Sequence, residues 1–109
     1  DTVVGFLRAT IKGWLYNAKD PKFAPELVVN GPGRDLGLEI DQQLIQNEIQ
    51  LEYMQSALTE EKGIFWIDPA EVEQSMYPSL RATGRTNLPP ATEIFDTRAL
   101  QAAYKEISV

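Results

Sequence analysis

The chain contains no cysteine and no histidine. Without cysteine there is no disulfide, no thiolate nucleophile and no zinc–thiolate site, although this leaves the cellular compartment open. Without histidine the commonest general base and metal ligand is missing. Positive charge is also scarce: ten basic residues stand against sixteen acidic ones, a net charge of -6, which argues against nucleic acid or an anionic membrane surface as partner. No apolar run approaches the roughly 20 residues of a membrane span, and the N-terminus lacks the basic and apolar regions of a signal peptide. A start at Asp1 reads as a processed product or an excised segment. Arginines and carboxylates are scattered, so spacing marks no acid–base pair, and no catalytic residue, cofactor or metal site is assigned. The chain reads as a non-enzyme.

What is present is a helical pattern. At 109 residues and 43% hydrophobic, residues 1–109 read as a single helical unit. A folded unit of this size buries roughly 65% of the surface of its unfolded chain. The expected fold is all-α with about five helices; Ile64–Ile67 is the one strand candidate, too short to support a sheet alone.

In the first helix Val3, Val4, Phe6, Leu7, Ile11, Trp14, Leu15 and Ala18 recur at intervals of three and four, as a core face requires. Gly5, Ala9 and Gly13 form a second, narrow stripe on the same helix. Each interior glycine costs about 1 kcal/mol relative to alanine, so the stripe is expected to be offset by close packing, with the helix covered from two sides; glycines tolerated at the surface are the alternative. Asp20 then reads as an N-cap with Pro21 at the first position of a second helix carrying Phe23, Leu27 and Val28, stopped by Asn30-Gly31-Pro32-Gly33.

The longest helix is expected over Leu38–Leu58, with Ile40, Leu44, Leu51, Met54 and Leu58 on one face and Ile45, Ile49 and Tyr53 widening it. Asn47 lies in line with Ile40 and Met54 in a faint heptad seam, and self-association through exposed helix faces is an alternative to a plain core helix. A polar break over Thr59–Gly63 precedes Ile64-Phe65-Trp66-Ile67. Asp68-Pro69-Ala70-Glu71 then has the pattern of a capped start, for a helix reaching about Ala82 that buries Val72, Met76 and Leu80, kinks at Pro78 and stops at Gly84. Asp96 or Thr97 caps a last helix with Leu100, Ala103, Tyr104 and Ile107 on one face. Phe65 and Trp66, just before a helix start, are the ligand-binding candidates, with membership of the core as the alternative.

The segment Phe6-Leu7-Arg8-Ala9-Thr10-Ile11-Lys12-Gly13-Trp14, followed by Asp20-Pro21 and Ala24, resembles the F-L-x-A-T-x-x-G-W … D-P-x-x-A helix pair of certain bacterial substrate-binding proteins. These are related to binders of thiamine pyrimidine precursors, sulfonates, taurine and nitrate, of the type II periplasmic-binding-protein kind. The glutamine-rich long helix, the turn into an aspartate-capped helix, Leu80–Gly84 and the closing Glu93-Ile94-Phe95-Asp96-Thr97-Arg98-Ala99-Leu100 follow the same order, so the likeness extends from Val3 to about Tyr104. Phe23 and Pro25 depart from it. The resemblance implies the C-terminal helical part of a two-lobed α/β protein, periplasmic or anchored outside the membrane, that delivers a small organic solute to the permease of an ABC importer. In that setting Gly5 and Gly13 would be packing residues; in this chain their surface is left to solvent, another copy or a different helix. Two alternatives stand beside it. One is a free-standing helical interaction module. The other is a fragment of the related thiamine-pyrimidine biosynthetic enzyme, whose chemistry depends on histidine.

Overall fold

A computed structural model describes residues 2–107, and among these it has seven helices, five of them seven residues or longer, and no strand. Helix α1 (Thr2–Lys19) lays Val4, Leu7 and Ile11 against α7 (Arg98–Lys105), where Leu100 and Ala103, with Ile107 just beyond the helix, complete the core. Ile11 is fully buried, Ile64, Trp66 and Tyr104 close the edges of this cluster, and Arg8 pairs with Glu106 across the two helices. Of the face expected to enter the core, only part does so: Val3, Phe6 and Leu15 are exposed, Phe6 to 70%. The glycine stripe also departs from expectation. Nothing lies within 4 Å of where a side chain would begin at Gly5 or Gly13, so nothing in the chain packs closely on the stripe.

Helix α2 (Phe23–Asn30) starts later than the Asp20-Pro21 pattern suggests, with Lys22 in the cap position and no side-chain cap. The reason is local: the Asp20 N–H still donates to the Tyr16 carbonyl as α1 ends, and the Asp20 carbonyl accepts from Phe23 N–H, so Asp20 and Pro21 are spent in the link. Pro25 sits in the first turn, where its missing N–H costs little. After a 3-10 turn at Arg34–Leu36 comes α3 (Ile40–Tyr53), which packs on α2.

The long helix does not continue to Leu58. It ends at Tyr53 because Ser56 and Thr59 form a reciprocal capping box, the Ser56 hydroxyl accepting from Thr59 N–H and the Thr59 hydroxyl from Ser56 N–H. That box starts α4 (Ala57–Lys62), a short helix where a polar break was expected. Gly63, at φ 105°, terminates it.

Asp68 does cap the next helix, accepting from Ala70 N–H at 2.9 Å. Pro69–Glu71, a π turn at Val72–Met76 and Tyr77–Ala82 run on as one helix, α5. The π turn, in which Tyr77 N–H reaches the Val72 carbonyl, sits immediately before Pro78, which has no N–H to give. The expected kink takes this form, and its extra residue rotates the helix face. Tyr77 is therefore buried where Met76 was expected, and Met76 is exposed. A Schellman arrangement ends the helix, with Arg85 N–H to the Leu80 carbonyl and Gly84, at φ 89°, to Arg81. Tyr77 and Glu73 then hold α6 (Ala91–Ile94): the phenol donates to the Pro89 carbonyl and the carboxylate accepts from Ala91 N–H, both at 2.7 Å.

The helices thus associate as pairs, α1 with α7, α2 with α3, and α5 with α6. The Cα radius of gyration is 17.1 Å, against about 13 Å for a compact chain of this length. The accessible surface is 8316 Å², whereas a folded monomer of 12.2 kDa exposes about 6,100 Å². Folding here buries about 53% of the unfolded surface, short of the roughly 65% expected from length.

Candidate functional site

The two aromatic candidates stand in the turn that joins α4 to α5. Gly63 lets the chain pass tightly under the ring of Tyr104 on α7: its left-handed φ suits glycine, and any side chain there would overlap that ring. The Tyr104 phenol donates to the Ile64 carbonyl at 3.0 Å, and its burial raises its pKa above the usual phenol value, so it stays a donor at neutral pH. Clamped this way, the next residue is forced over. Phe65 has φ 68°, the single non-glycine residue at positive φ among the described residues. A bulky side chain in that region is strained by about 1–2 kcal/mol, and such outliers gather at binding sites.

Phe65 borders two cavities. The larger, ≈380 Å³, lies toward α3 and α4 between Tyr53, Met54, Thr59, Phe65, Trp66 and Ile67, with Ser56 at its edge. The smaller, ≈180 Å³, lies toward the core, where Leu7, Phe95, Thr97 and Leu100 meet Phe65 and Ile67, with Asp96 at the rim. Phe65 and Trp66 are thus brought to one place but do different things. Trp66 lines the larger cavity and also packs against the α1–α7 core, whereas Phe65 is 38% exposed and stands between the two cavities.

None of the basic residues lines either cavity. Asp96 is the one charged group, and it is held by Arg98, whose guanidinium makes bonds of 2.6 to 3.0 Å to both carboxylate oxygens. The Ser56 and Thr59 hydroxyls are committed to their capping box. The Tyr53 hydroxyl and the Trp66 indole N–H have no protein partner among the described residues. This corner can hold a molecule against apolar walls.

A second polar feature escaped the sequence reading. Asn17 of α1, 6% exposed, and Asn47 of α3 exchange side-chain amide bonds of 2.8 and 2.9 Å, and Asn47 also donates to the Pro21 carbonyl at 2.8 Å. Asn47, placed by periodicity in a seam facing a partner helix, is instead engaged within the chain. The pair roofs a shallow ≈320 Å³ cavity beside Thr10, Gly13, Trp14 and Ala24. The available signal was Thr10 and Asn17, seven apart and flanked by Gly13-Trp14, which mark a polar seam between the apolar face and the glycine stripe. The described residues contain no cluster of three or more side chains of metal-binding type, and no helix of the structure is long and apolar enough to cross a membrane. Compared with protein-family models, with characterised proteins and with solved structures, the chain has no match.

Proposed function

We propose that this chain is the helical part of an extracytoplasmic solute-binding protein that delivers a small organic solute to an ABC importer. The observation that carries the reading is the first helix pair, Phe6–Trp14 with Asp20-Pro21 and Ala24, whose glycine stripe has no occupant in the chain. A helix bearing two interior glycines gives up about 2 kcal/mol of propensity, and close packing on a further element would offset that. The surplus of about 2,200 Å² of exposed surface supports the same reading, because an area of this size is that of a permanent intramolecular or obligate interface. On this view α1 docks against an α/β body by its stripe. The helices contribute a wall to the solute cleft, and the permease receives the closed protein.

The test is binding by the whole polypeptide in which this segment occurs. Calorimetric titration with a thiamine pyrimidine precursor, taurine, an alkylsulfonate and nitrate is expected to show one micromolar or tighter ligand. Absence of binding across that panel, together with a reading frame that encodes no α/β portion, would overturn the proposal in favour of a helical interaction module.

A further inference from the structure

The corner around Phe65 has a chemistry of its own, and from it we infer that the solute held there is an uncharged, flat, largely apolar ring compound, not a sulfonate, taurine or nitrate. The inference rests on the solute-binding reading and narrows its substrate class. An anion in a partly desolvated site needs cationic or convergent N–H donors, typically arginine. Of the ten basic residues of the chain, none lines either cavity, and Arg98, which holds Asp96 at the smaller one, is engaged by that carboxylate. The chain segments that carry the corner are rich in acidic residues. In the sequence, Glu52 precedes Tyr53, Glu60 and Glu61 follow Thr59, and Asp68 follows Ile67, with Lys62 paired to Glu61 as the basic residue of that run. An incoming sulfonate would lose its water with no cationic side chain lining either cavity to compensate it.

The same walls suit a neutral ring. The ≈380 Å³ of the larger cavity falls in the range of small-molecule sites. Its lining joins three aromatic residues, Tyr53, Phe65 and Trp66, with Met54, and rings pair edge-to-face or offset while thioethers adapt to them. The Tyr104 clamp on the Ile64 carbonyl holds the turn in which the Phe65 backbone takes its positive φ, so the point from which the ring projects is set before any ligand arrives. Tyr53, 86% exposed at the open side of the cavity, and Trp66 carry the O–H and N–H donors available to a ring nitrogen or oxygen.

The test uses the isotope-labelled chain observed by NMR, titrated separately with indole, taurine and nitrate. Indole is expected to shift the amides of residues 53–67 and the Trp66 side-chain N–H at millimolar concentrations, while taurine and nitrate leave them unmoved. Phe65→Gly, whose glycine adopts the positive φ without strain, is expected to weaken indole about tenfold, and Phe65→Tyr to retain it, with the amide spectrum of each variant checking that the fold is kept. Shifts at 53–67 with taurine or nitrate would overturn the neutral-ring assignment and leave the solute-binding reading standing. Indole binding that is indifferent to Phe65→Gly, or no indole effect at this corner, would overturn the site itself. The solute-binding reading fails separately, through the panel applied to the whole polypeptide.

Discussion

At Asp96 a single carboxylate both starts a helix and anchors an arginine. It accepts Arg98 side-chain N–H bonds and the Arg98 backbone N–H at 3.0 Å, and these bonds, the side-chain ones first, lower its pKa to about 2 despite its exposure. In the unfolded chain the group titrates near the usual value of about 3.9. A carboxylate depressed in the folded state contributes stability that is complete above the unfolded pKa and is lost as pH falls through the folded one, so its contribution fades from about pH 4 to about pH 2. A carbon-detected NMR titration is expected to place Asp96 near 2 in the native chain and to return it toward the ordinary range in Arg98→Gln. Gly63 is the other position where one atom decides the outcome. Gly63→Ala introduces a methyl group onto the Tyr104 ring at a left-handed φ, and is expected to destabilise by about 1–3 kcal/mol in urea unfolding. An unchanged midpoint would mean that the Tyr104 clamp on the Phe65 turn is dispensable.

Among the elements, α1 has the clearest divided character. One face packs on α7 and the stripe is open. In the chain alone, Gly13→Leu replaces a poor helix former with a good one, its Cβ meeting nothing within 4 Å and its side chain lying beside the ≈320 Å³ cavity, and is expected to stabilise by something under ~1 kcal/mol. In the whole solute-binding protein the same side chain would be forced between packed backbones and should destabilise by about 1–3 kcal/mol. Denaturant midpoints of the two forms should therefore move in opposite directions, and a rise in both would remove the packing argument for the stripe. Much about the elements was legible in the sequence. The capped start at Asp68, the proline perturbation in α5, the stop at Gly84 and the Leu100, Ala103, Ile107 face all follow from residue chemistry that acts within one or two turns. The breaks that were missed have a common cause. Ser56 and Asp20 sit where two local patterns compete, helix continuation against capping and capping against a link, and the competing energies are each about 1 kcal/mol.

For the molecule as a whole, surface is the governing quantity. With 8316 Å² exposed in the folded state, about 9,400 Å² is buried on folding, where a compact chain of the same mass would bury about 11,600 Å². Because the denaturant m-value scales with the area exposed on unfolding, the chain alone is expected to show a urea m-value about a fifth below that typical of its length. A typical m-value would mean that the exposed faces of α2 and α3 find cover, within the chain or in an assembly. Dependence of the transition on protein concentration would distinguish these.

Helix content, the absence of thiol and imidazole chemistry, and the existence of the apolar faces were determined by the sequence alone, because each depends on residue type and on periodicities of three and four. The choice among those faces was not. Amphipathicity marks what can be buried, but burial needs a partner surface, and α7 covers only the Val4, Leu7 and Ile11 side of α1, leaving Phe6 and the glycines open. The candidate site divides in the same way. Phe65 and Trp66 are conspicuous as an aromatic pair before a capped helix, yet only the fold places Tyr104, forty residues beyond Ile64, to hold that turn and force Phe65 to positive φ. Likewise Asn17 and Asn47 find each other thirty positions apart. Pairings of this kind depend on how whole elements meet, and no spacing along the chain encodes them.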